Sequence, residues 1–202
     1  MTVRVLVALA ACGAADRPEP PRPASVTLDW QMRREGEQLR IDYTITNGTA
    51  GRITVVDALG GSAASDAIIV RAATESDAIA FTRAFVPPQP GFKPYHQPSP
   101  HYRNVPPAGE LRGIAHVGVP LVPWHNFTGS WAITGTRTRA VLEIGYYDQP
   151  SVDATNATHA PRVGPDAFKL LRSAPKQLPA GVTLASPEEQ VALGNGGIVL
   201  PP

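Results

Sequence analysis

Apolar and polar residues alternate with a period of two from residue 26 onward. Val26, Leu28, Trp30 and Met32 share one side, and Thr27, Asp29, Gln31 and Arg33 share the other, the pattern of a strand buried on one face. After Glu35-Gly36-Glu37 the alternation resumes, with Leu39, Ile41, Tyr43 and Ile45 inward and Arg40, Asp42, Thr44 and Thr46 outward. The two runs predict a hairpin. Asn47-Gly48 ends the second strand with residues that accept positive φ, and 53–56 supplies a short β-branched third. Further strands are expected at 67–72, 79–86, 111–119 and 137–147. No run sustains the i, i+3, i+4 spacing of a long helix. The best helical candidate is 187–193, where Ser186 can cap, Pro187 takes the first position and Glu188 and Glu189 face the positive end of the dipole.

Strands at this spacing, separated by turn residues, predict an all-β fold: an antiparallel immunoglobulin-like β-sandwich of about seven strands. The stretch Asp42-Tyr43-Thr44-Ile45-Thr46-Asn47 loosely resembles a motif of immunoglobulin-like bacterial domains. The Cys-Trp-Cys core of antibody domains is absent, and Trp30 or Trp131 can fill its place. The chain has 202 residues, 43% of them hydrophobic, enough for one sizeable core with tails.

Proline marks the boundaries. Its 22 residues are about twice the average usage. The run Arg17-Pro18-Glu19-Pro20-Pro21-Arg22-Pro23 favours an extended polyproline stalk. The expected organisation is a signal segment at 1–11, a Pro-rich linker at 12–24, the β domain at 25–150, and an irregular C-terminal extension at 151–202. Within that extension, 168–171 and 182–185 read as one or two edge strands and the remainder as a flexible tail.

The N-terminus carries the most specific signal. Arg4 precedes a short apolar run ending in Leu9-Ala10-Ala11-Cys12. This resembles the processing site of bacterial lipoproteins, in which the chain is cut before the cysteine and the new N-terminus is acylated. The resemblance covers residues 1–12 and implies a bacterial cell-envelope protein anchored to a membrane through lipid on Cys12. Gly13-Ala14-Ala15 offers a competing cleavage site that would make the protein secreted or periplasmic. Val5 to Ala11 is too short for a membrane span, which needs about 20 residues. Losing Arg4 from the eighteen basic residues leaves seventeen, against seventeen acidic. A neutral mature chain argues against nucleic acid as a partner. Cys12 is the only cysteine, so the domain holds no internal disulfide.

Residues 87–107 combine eight prolines with Phe92, Tyr95, His96, His101 and Tyr102. So long a stretch without predicted structure reads as a functional loop, and these five residues are the candidate binding surface for an envelope protein partner. Catalytic signals are weak. The chain lacks Gly-x-Ser-x-Gly, phosphate-cradling loops and dinucleotide fingerprints, and Ser62 in Gly60-Gly61-Ser62 reads as a turn residue. His96, His101, His116 and His125 do not follow a zinc-ligand spacing; His116 reads as solvent-facing or satisfied within the sheet. Glu143 interrupts an apolar strand, and alternation places it opposite Leu142 and Ile144, toward solvent. Asn47-Gly48-Thr49, Asn126-Phe127-Thr128 and Asn156-Ala157-Thr158 match the glycosylation triplet but read as turns. Neither a cofactor nor a metal is expected. The leading reading is a non-enzymatic binding or structural module. A protease-inhibitor-like sandwich, an envelope hydrolase and a metal-binding protein are the alternatives.

Overall fold

The computed structural model describes residues 25–59, 66–84, 100–123, 133–148 and 168–194. They form ten strands and one helix: β1 Val26–Glu35, β2 Gln38–Asn47, β3 Ile53–Leu59, β4 Ile69–Ala72, β5 Ala78–Arg83, β6 Pro100–Val105, β7 Glu110–Gly118, β8 Arg139–Tyr147, β9 Phe168–Arg172, β10 Lys176–Gln177 and α1 Pro187–Gly194. The smaller sheet has the order β1-β2-β7. The larger has seven strands, ordered β4-β5-β8-β3-β6, with β9 and β10 also paired to β8. Among the described residues neither sheet closes on itself.

The β1–β2 hairpin keeps an unbroken register from Val26↔Asn47 to Glu35↔Gln38, with Gly36 at a φ of 62° in its turn, a conformation glycine adopts without strain. Alternation then does what the pattern demands. Trp30, Leu39, Ile41, Tyr43 and Ile45 of the smaller sheet join Ile53, Val55, Ile79, Phe81, Leu142 and Ile144 of the larger in one buried cluster.

Two expectations for the larger sheet need correction. Its pairing is mixed, because β5 runs parallel to β8 from Ala78↔Arg139 to Arg83↔Ile144. Between the two the chain forms β6 at the far edge of the larger sheet and β7 in the smaller sheet before it returns as β8; parallel neighbours require such a crossover. The second correction concerns Glu143, which is buried rather than solvent-facing. Every residue of β3 and β5 is buried, as expected of strands covered on both faces. Glu143 does lie opposite Leu142 and Ile144, but that side is covered too. It is satisfied by Thr82 Oγ1, which donates at 2.8 Å, and by ion pairs with Arg71 and Arg172. A second buried cluster, Val56, Leu59, Ile69, Tyr102 and Tyr147, shares no residue with the main core.

Asn47 fastens the hairpin to the β6–β7 crossover. Its side-chain amide donates to the carbonyls of Gly51, Val105 and Pro106 at 2.8, 3.0 and 3.1 Å. Its backbone bonds Gly109 O and Ala108 N. Residues 168–190 are likewise part of the fold. β9 lines the edge of β8, Val182 and Ala185 are buried, and Leu121 bridges Leu184. Gln190 Oε1 accepts from Ile133 N at 2.7 Å while its Nε2 donates to Ile133 O and Ala185 O. The helix starts with a reciprocal capping box: Glu189 N donates to Ser186 Oγ and Ser186 N to Glu189 Oε2.

Candidate functional site

β6 ends the larger sheet and β7 ends the smaller, and the two are joined by the turn at 106–109. A cleft of about 770 Å³ is lined by residues of both sheets, among them Tyr43, Asp57, Arg83, Arg103, Ile114 and His116. It falls within the range of ligand pockets.

The site is built around a kink in β3. The β3–β6 register slips between Val56 and Ala58, so Asp57 is the extra residue of a β-bulge, a device that re-aims a side chain and recurs next to functional sites. Asp57 is almost fully buried, and its Oδ2 accepts from Arg103 Nη2 at 2.6 Å. The rest of the Arg103 side chain is half exposed. Arg83, only 2% exposed, connects the sheets. Its Nη1 donates to Tyr43 Oη at 2.7 Å and to Asp57 O at 2.8 Å. Nη2 donates to Ile114 O at 2.8 Å, and Nε to Ala67 O at 3.1 Å. One guanidinium thus ties β5 to β2, β3 and β7 with charge-assisted bonds, roughly twice as strong as neutral ones.

Tyr43 can reach this position because its cross-strand partner is Gly113. A Cβ on Gly113 would stand 2.1 Å from Tyr43 Cζ, so the ring occupies the space a side chain would need. Burial pushes the Tyr43 hydroxyl above the ordinary tyrosine value, and the Arg83 charge pulls against it. On the rim, His116 Nδ1 and Asp66 Oδ2 are 2.7 Å apart, both partly exposed. Arg112 is largely exposed beside Glu110. Asp42 also lines the cleft, from the outer face of the smaller sheet, where a forked bond from Arg40 holds its carboxyl below the usual range despite partial burial.

The residues chosen from sequence fare differently. Cys12, Phe92, Tyr95, His96, Ser62 and His125 lie outside the described residues. His101 and Tyr102 sit on strand β6, not in a loop. Tyr102 is buried against Tyr147, with ring centroids 6.1 Å apart at 62°, so it cannot offer a ring to a partner. Pro100 opens β6, a position where an edge strand tolerates proline, and the alternation that follows is only a few residues long. His116 is the satisfied partner of Asp66. Asp57, Arg83 and Arg103 were not singled out from sequence. The available signal was a lone charge inside the apolar runs around Val55-Val56 and Ala80-Phe81.

No group of three or more His, Cys, Asp or Glu capable of holding a metal occurs among the described residues. No known protein family, curated protein or solved structure matches the chain.

Proposed function

We propose that this protein is a lipid-anchored component of a bacterial cell envelope in which an immunoglobulin-like sandwich, formed by the two sheets, binds a partner at the β6–β7 cleft without chemistry. The observation that carries the reading is the locking of the cleft floor. Arg83 spends its donors on Tyr43 and three backbone carbonyls, and Asp57 is set by a bulge and held by Arg103. Polar groups fixed in advance lose little entropy when a ligand arrives. The Leu9-Ala10-Ala11-Cys12 sequence supports the anchor.

Two experiments test the halves separately. Cys12→Ser should move the protein from the membrane to the soluble fraction of a bacterial host; retention in the membrane rules out the anchor. A photoreactive amino acid at Arg112, on the cleft rim, should give a discrete adduct in cells. The same probe at Leu170, exposed on β9, should give none. The reverse pattern, or hydrolytic turnover abolished by His116→Ala, rules out the binding reading.

A further inference from the structure

We infer that the β6–β7 cleft takes an extended, uncharged peptide segment whose main chain pairs with β7 at Arg112, on the edge that no described strand covers, an assignment that rests on the cleft being the binding site. The first support is the direction of the β7 backbone. Ile114 O receives Arg83 Nη2 and His116 N donates toward Asp66 O, so both residues turn their main-chain groups away from β2. Because these directions alternate along a strand, the N–H and C=O of Arg112 point the same way. No described strand pairs with that edge, and Arg112 and Ile114 both line the cleft. Unpaired edge groups of this kind accept an added strand.

The opposite wall supplies the selectivity. Among the described residues, the Asp57 carboxylate takes one hydrogen bond, from Arg103, and the Arg103 guanidinium makes that one alone. An acceptor and several donors therefore stand side by side. A carboxylate ligand would meet Asp29, Asp42, Asp57 and Asp66 as well as the arginines, and an ammonium would meet Arg83, Arg103 and Arg112 as well as those carboxylates, all on the cleft lining. A neutral group carrying a donor beside an acceptor meets no like charge, and a peptide amide is such a group. Ile114, one of only two large apolar side chains exposed among the described residues, adds an apolar contact beside the edge.

The test is an amide chemical-shift titration of the ¹⁵N-labelled full chain with a capped alternating valine–threonine hexapeptide. Shifts should centre on Arg112 and Ile114. They should vanish when the peptide carries N-methyl groups on alternate amides, which block strand pairing. Arg112→Pro, which removes the outward N–H together with the arginine side chain, should abolish them, and Arg103→Gln should weaken binding about tenfold. Glutamate and lysine versions of the peptide should bind more weakly. Equal or tighter binding by either charged version overturns the proposal, as does binding that survives N-methylation. If the hexapeptide is silent while chitotetraose shifts the same amides, the peptide assignment fails and the cleft stands. If neither shifts them, the peptide assignment fails and the cleft reading loses its support.

Discussion

Replacing Asn47 is the sharpest perturbation of the scaffold that carries the cleft. The residue is fully buried. Its Nδ2 serves the carbonyls of Gly51, Val105 and Pro106, while Oδ1 accepts from Thr49 N at 3.0 Å and Thr49 Oγ1 at 2.6 Å. Asn47→Ala removes these side-chain bonds but leaves the main-chain bonds to Gly109 and Ala108. A typical hydrogen bond contributes about 1 kcal/mol net, and water can replace part of the loss where these contacts reach the surface, so the expected cost is about 3 to 4 kcal/mol. Against a domain stability of about 5 to 15 kcal/mol that is a large fraction. Asn47→Asp discriminates further. It keeps the shape but turns a carboxylate oxygen toward three carbonyl oxygens, so it should cost more than alanine at pH 7, with the gap narrowing as the pH falls and the acid protonates. Urea denaturation followed by far-ultraviolet circular dichroism reads both, provided the slope is unchanged. An alanine cost below about 1 kcal/mol, or an aspartate variant as stable as wild type at pH 7, would refute the role assigned to Asn47.

Three further outcomes can be checked with the same assay. Ile45→Ala, at a fully buried position, should cost about 2 to 5 kcal/mol, and a change under about 0.5 kcal/mol would mean that β2 turns its other face inward. Gly113→Ala should cost about 1 to 3 kcal/mol by displacing the Tyr43 ring, and much of that cost should disappear when Tyr43 is also replaced by alanine; strict additivity would show that the two positions do not compete for space. Burial raises the hydroxyl pKa values of Tyr43, Tyr102 and Tyr147 in the folded protein. Groups whose folded value is raised contribute fully below the unfolded value of about 10 and lose that contribution as pH rises through the folded values. Stability should therefore fall in strong alkali, and Tyr43→Phe should flatten the decline; an unchanged slope would sink the assignment.

The β1–β2 hairpin was legible residue by residue, because one of its faces points to solvent and the alternation survives in the sequence. The helix was legible for a local reason as well, since Ser186, Pro187 and Glu189 encode its start within four positions and the observed element is Pro187–Gly194. β6 was not legible. Its Pro100 and the prolines before it suggest irregular chain, and what makes it a strand is its register with β3, from Ile53↔Val105 to Leu59↔Pro100. That register is a long-range fact. The parallel β5–β8 pairing is hidden for the same reason: no local pattern in 78–83 or 139–144 records which strand will lie alongside.

The charged residues show where pattern reading turns misleading. A lone charge in an alternating strand is ordinarily a solvated position, and Glu143 reads that way from Leu142 and Ile144 alone. The inference depends on an unstated premise, that one face of the sheet meets water. In the larger sheet that premise fails, since β3 and β5 are buried throughout. A charge there has to be paired or bonded, because leaving it alone would be far too costly. Glu143 finds Arg71, Arg172 and Thr82; Asp57 finds Arg103; Arg83 finds Tyr43 and the carbonyls of three separate segments. The better sequence rule follows from this. When a strand is apolar at consecutive positions rather than alternate ones, as in Ile53–Leu59, it is covered on both sides, and a single charge within it marks a buried network. Applied to this chain, that rule selects Asp57, Arg83 and Glu143 together, and two of the three lie on the cleft lining.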